Sequence, residues 1–465
     1  MNKQYPILTL LKSKLLATTL LVMLPVLHVQ GQDPLPTRSK IDTAPTIDSE
    51  NNDFIKVFDA SQTDVTVGLL WEEHIKTELD KIAREADSAR YNVGISVWDL
   101  TADSLLWDYD SYKIMRPAST QKVLTAISAL SILGSQYEFK TRGYYTGSIS
   151  PEGVLNGDVY VVGGFDPMYS FSDLRELAHQ ISSLGIKAIN GKIYGDTSMK
   201  SKDLYGNGWC WDDVPSNNQP YLCPLMIERG KSARQFTTYS HDTSFHPAEH
   251  FIQILSEELY AIHIVSANNP ASPIEYEQKE YGYNGTAFYT KTRTIDQVMQ
   301  RMLKHSDNLH AEAIFYLLAN AAAGKYCTWK DGVKQIENVL RNANTSTSCV
   351  DVADGSGVSL YNYITADAQV AMLRYAYKDS NIYRYFYPAL PIAGVDGTLA
   401  NRMKSGNAYR NVHAKTGTVK GVITLCGYVT AKNGHQLAFS ILTNGALSSQ
   451  AARNFQDRIC QELAR

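Results

Sequence analysis

The stretch that most constrains this chain is residues 123–133. Val123, Leu124, Ala126, Ile127, Ala129, Leu130, Ile132 and Leu133 leave almost no polar face at helical spacing, and Gly134 supplies a C-terminal stop. A helix that is apolar nearly all round is a buried one, so the fold must wrap other elements around it. At its mouth stand Ser119 and Lys122, neighbours on one helical face because residues i and i+3 lie side by side. Desolvation disfavours the charged form of such a lysine, and a neutral amine beside a serine is a nucleophile with its base. Serine is also common at helix N-termini for capping reasons alone, so the pair needs partners. No other lysine in the chain has a serine three positions before it.

At 465 residues the chain has room for two or three domains, or for one large domain carrying an insertion. A net charge of -3 argues against a nucleic-acid binder, which would show a basic surplus. There is no CxxC pair, HExxH or glycine-rich phosphate loop, so no metal or cofactor is expected. His305 and His310 lack a ligand cluster and read as ordinary polar residues.

The start of the chain has three parts. Lys3, Lys12 and Lys14 flank or precede the apolar run "LLATTLLVMLPVLHV", and "VQG" ends at Gly31 before Gln32. This is the pattern of a secretory signal over residues 1–31, with cleavage near Gly31–Gln32 and an exported, periplasmic or cell-envelope soluble product. The apolar core of 15 residues is short for a membrane span, and no second long apolar run follows, so no integral membrane span is expected. Residues 32–64 are polar, with several Pro, Asp, Ser and Asn, and read as a flexible tether. Six cysteines in an exported chain permit disulfides, with Cys210 and Cys223 close in sequence, as are Cys327 and Cys349. Buried free thiols are the alternative, and the connectivity stays open.

From Trp71 the spacing Trp71, Ile75, Leu79, Ile82, Ala86 predicts a helix, and "NVGISVWDL" with "SLLWDYD" a hairpin around Thr101, Ala102 and Asp103. Residues from about 140 to 290 are rich in Gly, Tyr and short β-type runs, and read as a mostly β insertion. Helical periodicity returns at "TIDQVMQRMLKHSDNLHAEAIFYLLANAAAG" and at "TADAQVAMLRYAY". The chain ends in "NVHAKTGTV", "GVITLCGYVT" and "HQLAFSILTNG", with Lys432, Asn433 and Gly434 as a hairpin turn. The simplest assembly joins the first hairpin and these last strands in one antiparallel sheet, packed by helices, with the insertion outside.

Two polar islands follow Ser119 and Lys122. Ser306-Asp307-Asn308 sits at the edge of an apolar helical run, and Lys415-Thr416-Gly417-Thr418 at the end of a strand. Alone, one reads as a helix cap and the other as a strand end. In this order, however, Ser-x-x-Lys, Ser-Asp-Asn and Lys-Thr-Gly form the signature set of active-site serine β-lactamases and penicillin-binding proteins. Ser119 would attack a carbonyl and become an acyl-enzyme, with Lys122 taking its proton. Ser306 can pass a proton to the leaving nitrogen, and Asn308 can hold Lys122 and a substrate amide. Lys415 offers positive charge for a carboxylate, Thr416 and Thr418 offer hydroxyls, and Gly417 lets a backbone come close. The N–H groups of Ser119 and Thr418 form a natural oxyanion hole.

With these motifs, and with "GGFDP" (163–167), "GDTSM" (195–199), "GWCWDD" (208–213), "DGSGVS" (354–359) and "DGTLANRM" (396–403), the chain resembles the low-molecular-mass class C penicillin-binding proteins, the D-alanyl-D-alanine carboxypeptidase/endopeptidase family. The resemblance implies an α/β (α+β) fold: a β-lactamase/transpeptidase-like domain of residues 65–140 and 290–465, its antiparallel sheet flanked by helices, interrupted by an inserted domain of residues 141–289. The 183 residues between Lys122 and Ser306 leave room for it. It also implies removal of terminal D-alanine from peptidoglycan stem peptides, or cleavage of D-Ala cross-links, and covalent binding of β-lactam antibiotics. A serine β-lactamase is the nearest alternative, but no Glu-x-x-Leu-Asn run follows the second motif, which is not Tyr-x-Asn. A non-catalytic wall-binding protein is the other, and the intact motif residues argue against it. Asp196, in "GDTSM", reads either as an acid leaning over the cleft to meet a free amine or as a turn aspartate.

Overall fold

Strands from the two ends of the chain meet in one sheet. The structure, a computed structural model, describes residues 60–88, 91–210, 216, 219–230, 246–266 and 284–465. The expected signal segment and most of the expected tether lie outside the described residues. Helix α1 (Ala60–Ser88) begins within the last residues of that tether and leads to β1 (Asn92–Asp99) and β2 (Ser104–Tyr109), which turn through Thr101–Asp103. The turn Ala118–Thr120, which carries Ser119, then opens α2 (Gln121–Ile132).

The chain next makes its long excursion. It leaves on β3 (Glu138–Tyr145) and runs through β4 (Ser148–Ile149), β5 (Val154–Asn156), β6 (Val159–Val162), α3 (Phe171–Ser183), β7 (Ala188–Ile189), β8 (Ile193–Asp196), α4 (Pro247–Ala261) and β9 (Val265–Ser266). It returns on β10 (Thr286–Thr294), which pairs antiparallel with β3, Thr294 opposite Glu138. Departure and return therefore lie side by side. Here β6–β8, β5–β7 and β7–β9 pair in parallel, which requires crossovers. Helix α3 supplies one: Ser170 caps it with Asp173 in a capping box, and Leu174, Leu177, Ala178 and Ile181 form its buried stripe. Two helices thus stand among the short strands expected of this region.

The remainder is helical and then β: α5 (Ile295–Lys304), α6 (Asn308–Ala323), α7 (Trp329–Asn342), α8 (Ala366–Lys378), α9 (Ser380–Ala389), β11 (His413–Val419), β12 (Val422–Thr430), β13 (Gln436–Asn444) and α10 (Ser449–Leu463). The helical stretch read from Thr294 onward is two helices, and Ser306–Asn308, read as a possible cap at the edge of a run, lies at the break between α5 and α6. Ser306 takes φ +58 there, and Asp307 caps α6 by accepting from the His310 N–H at 3.3 Å.

The five-stranded antiparallel sheet has the order β11-β12-β13-β1-β2. Alternation assigns its faces. Leu437, Phe439 and Ile441 of β13, with Val93, Ile95 and Val97 of β1, pack with Ile75, Leu79, Phe455 and Ile459 of α1 and α10. Ala438 and Leu442 of β13, with Cys426 and Tyr428 of β12, turn the other way and join the core around α2, α5, α6 and α8. In that core Val123, Leu124, Ala126, Ile127 and Ala129 of α2 are fully buried, as the sequence requires. No helix among the described residues is long and apolar enough to cross a membrane. The six cysteines are free thiols, four of them buried.

Ile127 is at the centre of this layer, so Ile127→Ala should destabilise the chain by about 2–5 kcal/mol through transfer loss and cavity formation. Denaturant unfolding measures it; a loss under about 1 kcal/mol would contradict the packing described.

Candidate active site

The turn that carries Ser119 is strained and clamped. Ala118 takes φ +46, in the left-handed region that an L-residue enters at a cost of about 1–3 kcal/mol. Three side chains hold the turn from below. Thr424 Oγ1 of β12 donates to Pro117 O at 2.7 Å, Gln369 Nε2 of α8 donates to Thr120 Oγ1 at 2.7 Å, and Ser440 Oγ of β13 donates to Gln369 Oε1 at 2.7 Å. Gly357, at φ +80, presses against the same turn, where a Cβ would lie 1.9 Å from Ala118 O. Ser119 is held at 9% exposure, at the edge of the buried helix.

Lys122 is fully buried, and its Nζ meets three oxygens: Ser119 Oγ at 3.1 Å, Asn308 Oδ1 at 2.6 Å and Ser356 O at 2.7 Å. Two of these, the amide and the backbone carbonyl, can only accept. A neutral amine therefore gives its two N–H groups to Asn308 and Ser356, and its lone pair is left facing the Ser119 hydroxyl. Once protonated, it has a third N–H for Ser119 Oγ. Both charge states are satisfied, which suits a group that must take up and release a proton. Burial pushes the amine down from 10.5 to about 8, against the pull of Asp354, Glu312 and Asp307.

Lys415 lies on β11, the edge strand of the sheet, and is fully buried. Its Nζ donates to Ser306 Oγ at 2.9 Å and Thr416 O at 2.5 Å. Burial, and then the Lys122 charge, drive its amine well below the ordinary lysine range. Thr416 Oγ1 donates to Thr398 Oγ1 at 2.7 Å, and Thr398 belongs to the "DGTLANRM" loop that Lys304 pins through Asp396 at 2.6 Å. Gly417 faces the Ser119 turn: a Cβ there would lie 3.0 Å from Ser119 N, 2.8 Å from Pro117 O and 2.1 Å from Thr424 Oγ1. Thr418 is exposed next to it. Ser119, Lys122, Ser306, Asn308, Lys415, Thr416, Gly417 and Thr418 therefore come from three separate elements and two turns to one place. Lys415 stands behind Ser306 and Thr416, and the exposed Thr418 is the outermost of the set.

Asp307 anchors the second motif. Burial works against its charge, yet His310 at 3.0 Å and Arg229 at 2.7 Å hold its carboxyl well below the usual carboxylate range. Arg301 adds a contact at 3.1 Å. His310 is thus a buried partner of the cap. No group of three or more His, Cys, Asp or Glu side chains placed to hold a metal ion occurs among the described residues.

Other residues of the site had not been given a role from sequence. Ser356 contributes a carbonyl, and its own N–H donates to Glu312 Oε1 at 2.8 Å. Glu312 is buried in α6, where burial and Asp354 push its carboxyl up to about 8. An acid within the apolar run "NLHAEAIFYLLA" was the available signal. Asp196 is 1% exposed at the end of β8, and its Oδ1 accepts from Ser198 N at 2.7 Å, the contact of a turn aspartate.

Fold and family together define a serine-type peptidase. The chain belongs to the D-Ala-D-Ala carboxypeptidase 3 (S13) family, whose pattern matches residues 75–284 and 286–465. D-alanyl-D-alanine carboxypeptidase DacB of Haemophilus influenzae is 26% identical over 412 residues, 76% of this chain and 85% of that protein. A D-alanyl-D-alanine carboxypeptidase of Actinomadura sp. (strain R39) is 26% identical over 462 residues, 84% of each. The crystal structure of penicillin binding protein 4 (dacB) from Haemophilus influenzae superposes with a TM-score of 0.72 at 24% identity, covering 80% of this chain and 95% of that one. The same protein has also been solved with a β-lactam.

Two of the three atoms nearest a Gly417 Cβ are backbone, so Gly417→Ala must push β11 away from the Ser119 turn. We expect about a tenfold or greater loss in the rate at which a fluorescent penicillin labels the chain, since small displacements at a reacting centre are costly. An unchanged labelling rate would show that β11 takes no part in the site.

Proposed function

We propose that the chain removes the terminal D-alanine of peptidoglycan stem peptides, or cuts D-Ala cross-links, through an acyl-enzyme on Ser119. The Lys122 amine, buried and held so that its lone pair faces the Ser119 hydroxyl, is the observation that carries this reading. Ser119 Oγ bonds to the carbonyl carbon of the penultimate D-Ala while its proton moves to Lys122. The N–H groups of Ser119 and Thr418 hold the oxyanion. As the C–N bond breaks, the proton passes to the leaving nitrogen, with Ser306 as the relay; water then releases the acyl group and returns Ser119. Asn308 orients Lys122 and receives the substrate amide.

A substrate carboxylate arriving at Thr416 and Thr418 favours the charged form of Lys415 behind them. That charge in turn disfavours an ammonium at Lys122, so binding readies the base. β-Lactams present the same carboxylate and a strained amide, and become covalent inhibitors. The related carboxypeptidases, and the β-lactam bound to one of them, support both readings. The tripartite N-terminus supports export to the periplasm or cell envelope, where the wall substrate lies, and the paired departure and return strands support residues 141–289 as an inserted domain.

The test uses a fluorescent penicillin and purified muropeptides. The wild-type chain should form a long-lived adduct mapping to Ser119, absent in Ser119→Ala, and should release D-alanine or split cross-linked dimers. Rapid turnover of the label would indicate a β-lactamase, and no label a wall-binding protein. Because only the neutral amine accepts the proton, acylation should accelerate as pH rises through about 8 and slow below it. A rate independent of pH between 6 and 9 would remove Lys122 as the base.

A further inference from the structure

A chain of hydrogen bonds runs from Trp209 of the excursion to Lys122. Gly206–Trp209 form a turn, with Trp209 N donating to Gly206 O at 3.3 Å. Gly208, at φ +71, packs so closely on the 359–361 loop that a Cβ there would lie 2.6 Å from Ser359 Oγ and 2.4 Å from the Tyr361 ring. From this turn the Trp209 indole Nε1 donates to Asp354 Oδ2 at 2.9 Å. Asp354 is 1% exposed. It accepts three more hydrogen bonds, from Gly357 N at 2.6 Å, Asn362 Nδ2 at 2.8 Å and Ser359 N at 2.7 Å.

The Gly357 N–H belongs to the same peptide group as the Ser356 carbonyl, and that carbonyl accepts from Lys122 Nζ at 2.7 Å. One peptide unit therefore has a carboxylate on its N–H and the amine on its oxygen. Hydrogen bonds in such a chain polarise one another, so the carboxylate makes the carbonyl a better acceptor for an ammonium. The titratable groups acting on Lys122 are Asp354, Glu312 and Asp307, with the Lys415 amine coupled to it across the site.

We infer that Trp209 is a positioning residue for Lys122, acting through Asp354 and the Ser356–Gly357 peptide, so that the seating of the inserted region sets the basicity of the amine. This rests on Lys122 being the base for Ser119. Without the indole N–H, the Asp354 carboxylate keeps three donors but gives up less of its negative charge, so it polarises the Ser356–Gly357 peptide more and supports the ammonium better. Lys122 then keeps its proton to higher pH.

The experiment measures acylation of the full chain by a fluorescent penicillin from pH 6 to 10. Trp209→Phe keeps an aromatic ring and removes the donor. It should move the acid limb to higher pH and so lower the acylation rate at pH 7 about tenfold, with the melting temperature within a few degrees of wild type. Trp209→His, which retains a ring N–H, should keep the wild-type limb. An unmoved limb in Trp209→Phe overturns the proposal, whatever happens to the plateau, and so does a limb moved equally by both variants. A wild-type chain that forms no adduct on Ser119 overturns instead the assignment of Lys122 as base.

Discussion

Everything in the catalytic half is arranged around one buried amine. Placing a lysine at the mouth of an apolar helix costs desolvation energy, and the cost is tolerable only if its N–H groups find partners. Asn308 and Ser356 are those partners. That requirement fixes where α6 must begin, which explains the break at Ser306 and the Asp307 cap. It also fixes the path of the 354–359 loop, which has to deliver a carbonyl oxygen into the core and then leave again through Gly357, the one residue type able to pass the Ala118 carbonyl at that distance.

The sheet serves the same end from the other side. β12 and β13 are buried on both faces; from them Thr424 reaches the turn beneath Ser119, and Ser440 holds Gln369, which reaches it from α8. β11 is the edge strand: one side pairs with β12, and on the other the Pro391–Ile392 segment bridges only its start, at His413 and Ala414. An extended peptide can lie along such an edge, its backbone held by the strand. The buried strands position Ser119, and the edge strand leaves space beside it.

Residues whose chemistry sits in a short contiguous pattern were legible in the sequence. Ser119 with Lys122, the Ser306–Asn308 island and the Lys415–Thr418 strand end each pair an unusual side chain with a clear local setting. Both hairpins and the buried helix were legible too, from alternation and from a missing polar face. The third acceptor of Lys122 was not, because a backbone carbonyl has no residue signature: Ser356 could be any residue that takes that turn. Glu312 was overlooked for the opposite reason, one acid within an apolar run that otherwise reads as core. In the excursion, the spacing Leu174, Leu177, Ala178, Ile181 is helical, but Gly-rich and Tyr-rich neighbours obscured it. Its parallel pairings involve strands as short as two residues, below what alternation can register.

The buried amine and the buried acid behind it pull stability in opposite directions with pH. Glu312 has a folded-state value above the ordinary one, so its burial costs little while it is protonated, and the folded chain loses stability as pH rises towards about 8. Lys122 has a folded-state value below the ordinary one. Its burial is costly while it is an ammonium, and the folded chain recovers that stability as pH rises beyond about 8. The two slopes have opposite sign and meet rather than overlap: Glu312 costs stability between the ordinary glutamate value of 4.5 and about 8, and Lys122 returns it between about 8 and 10.5. The cost of the two buried groups together is therefore greatest near the pH at which the amine turns neutral. The acid that looks misplaced on an apolar helix adds to the cost of burying Lys122 there, and the packing around α2 and α6 has to carry both.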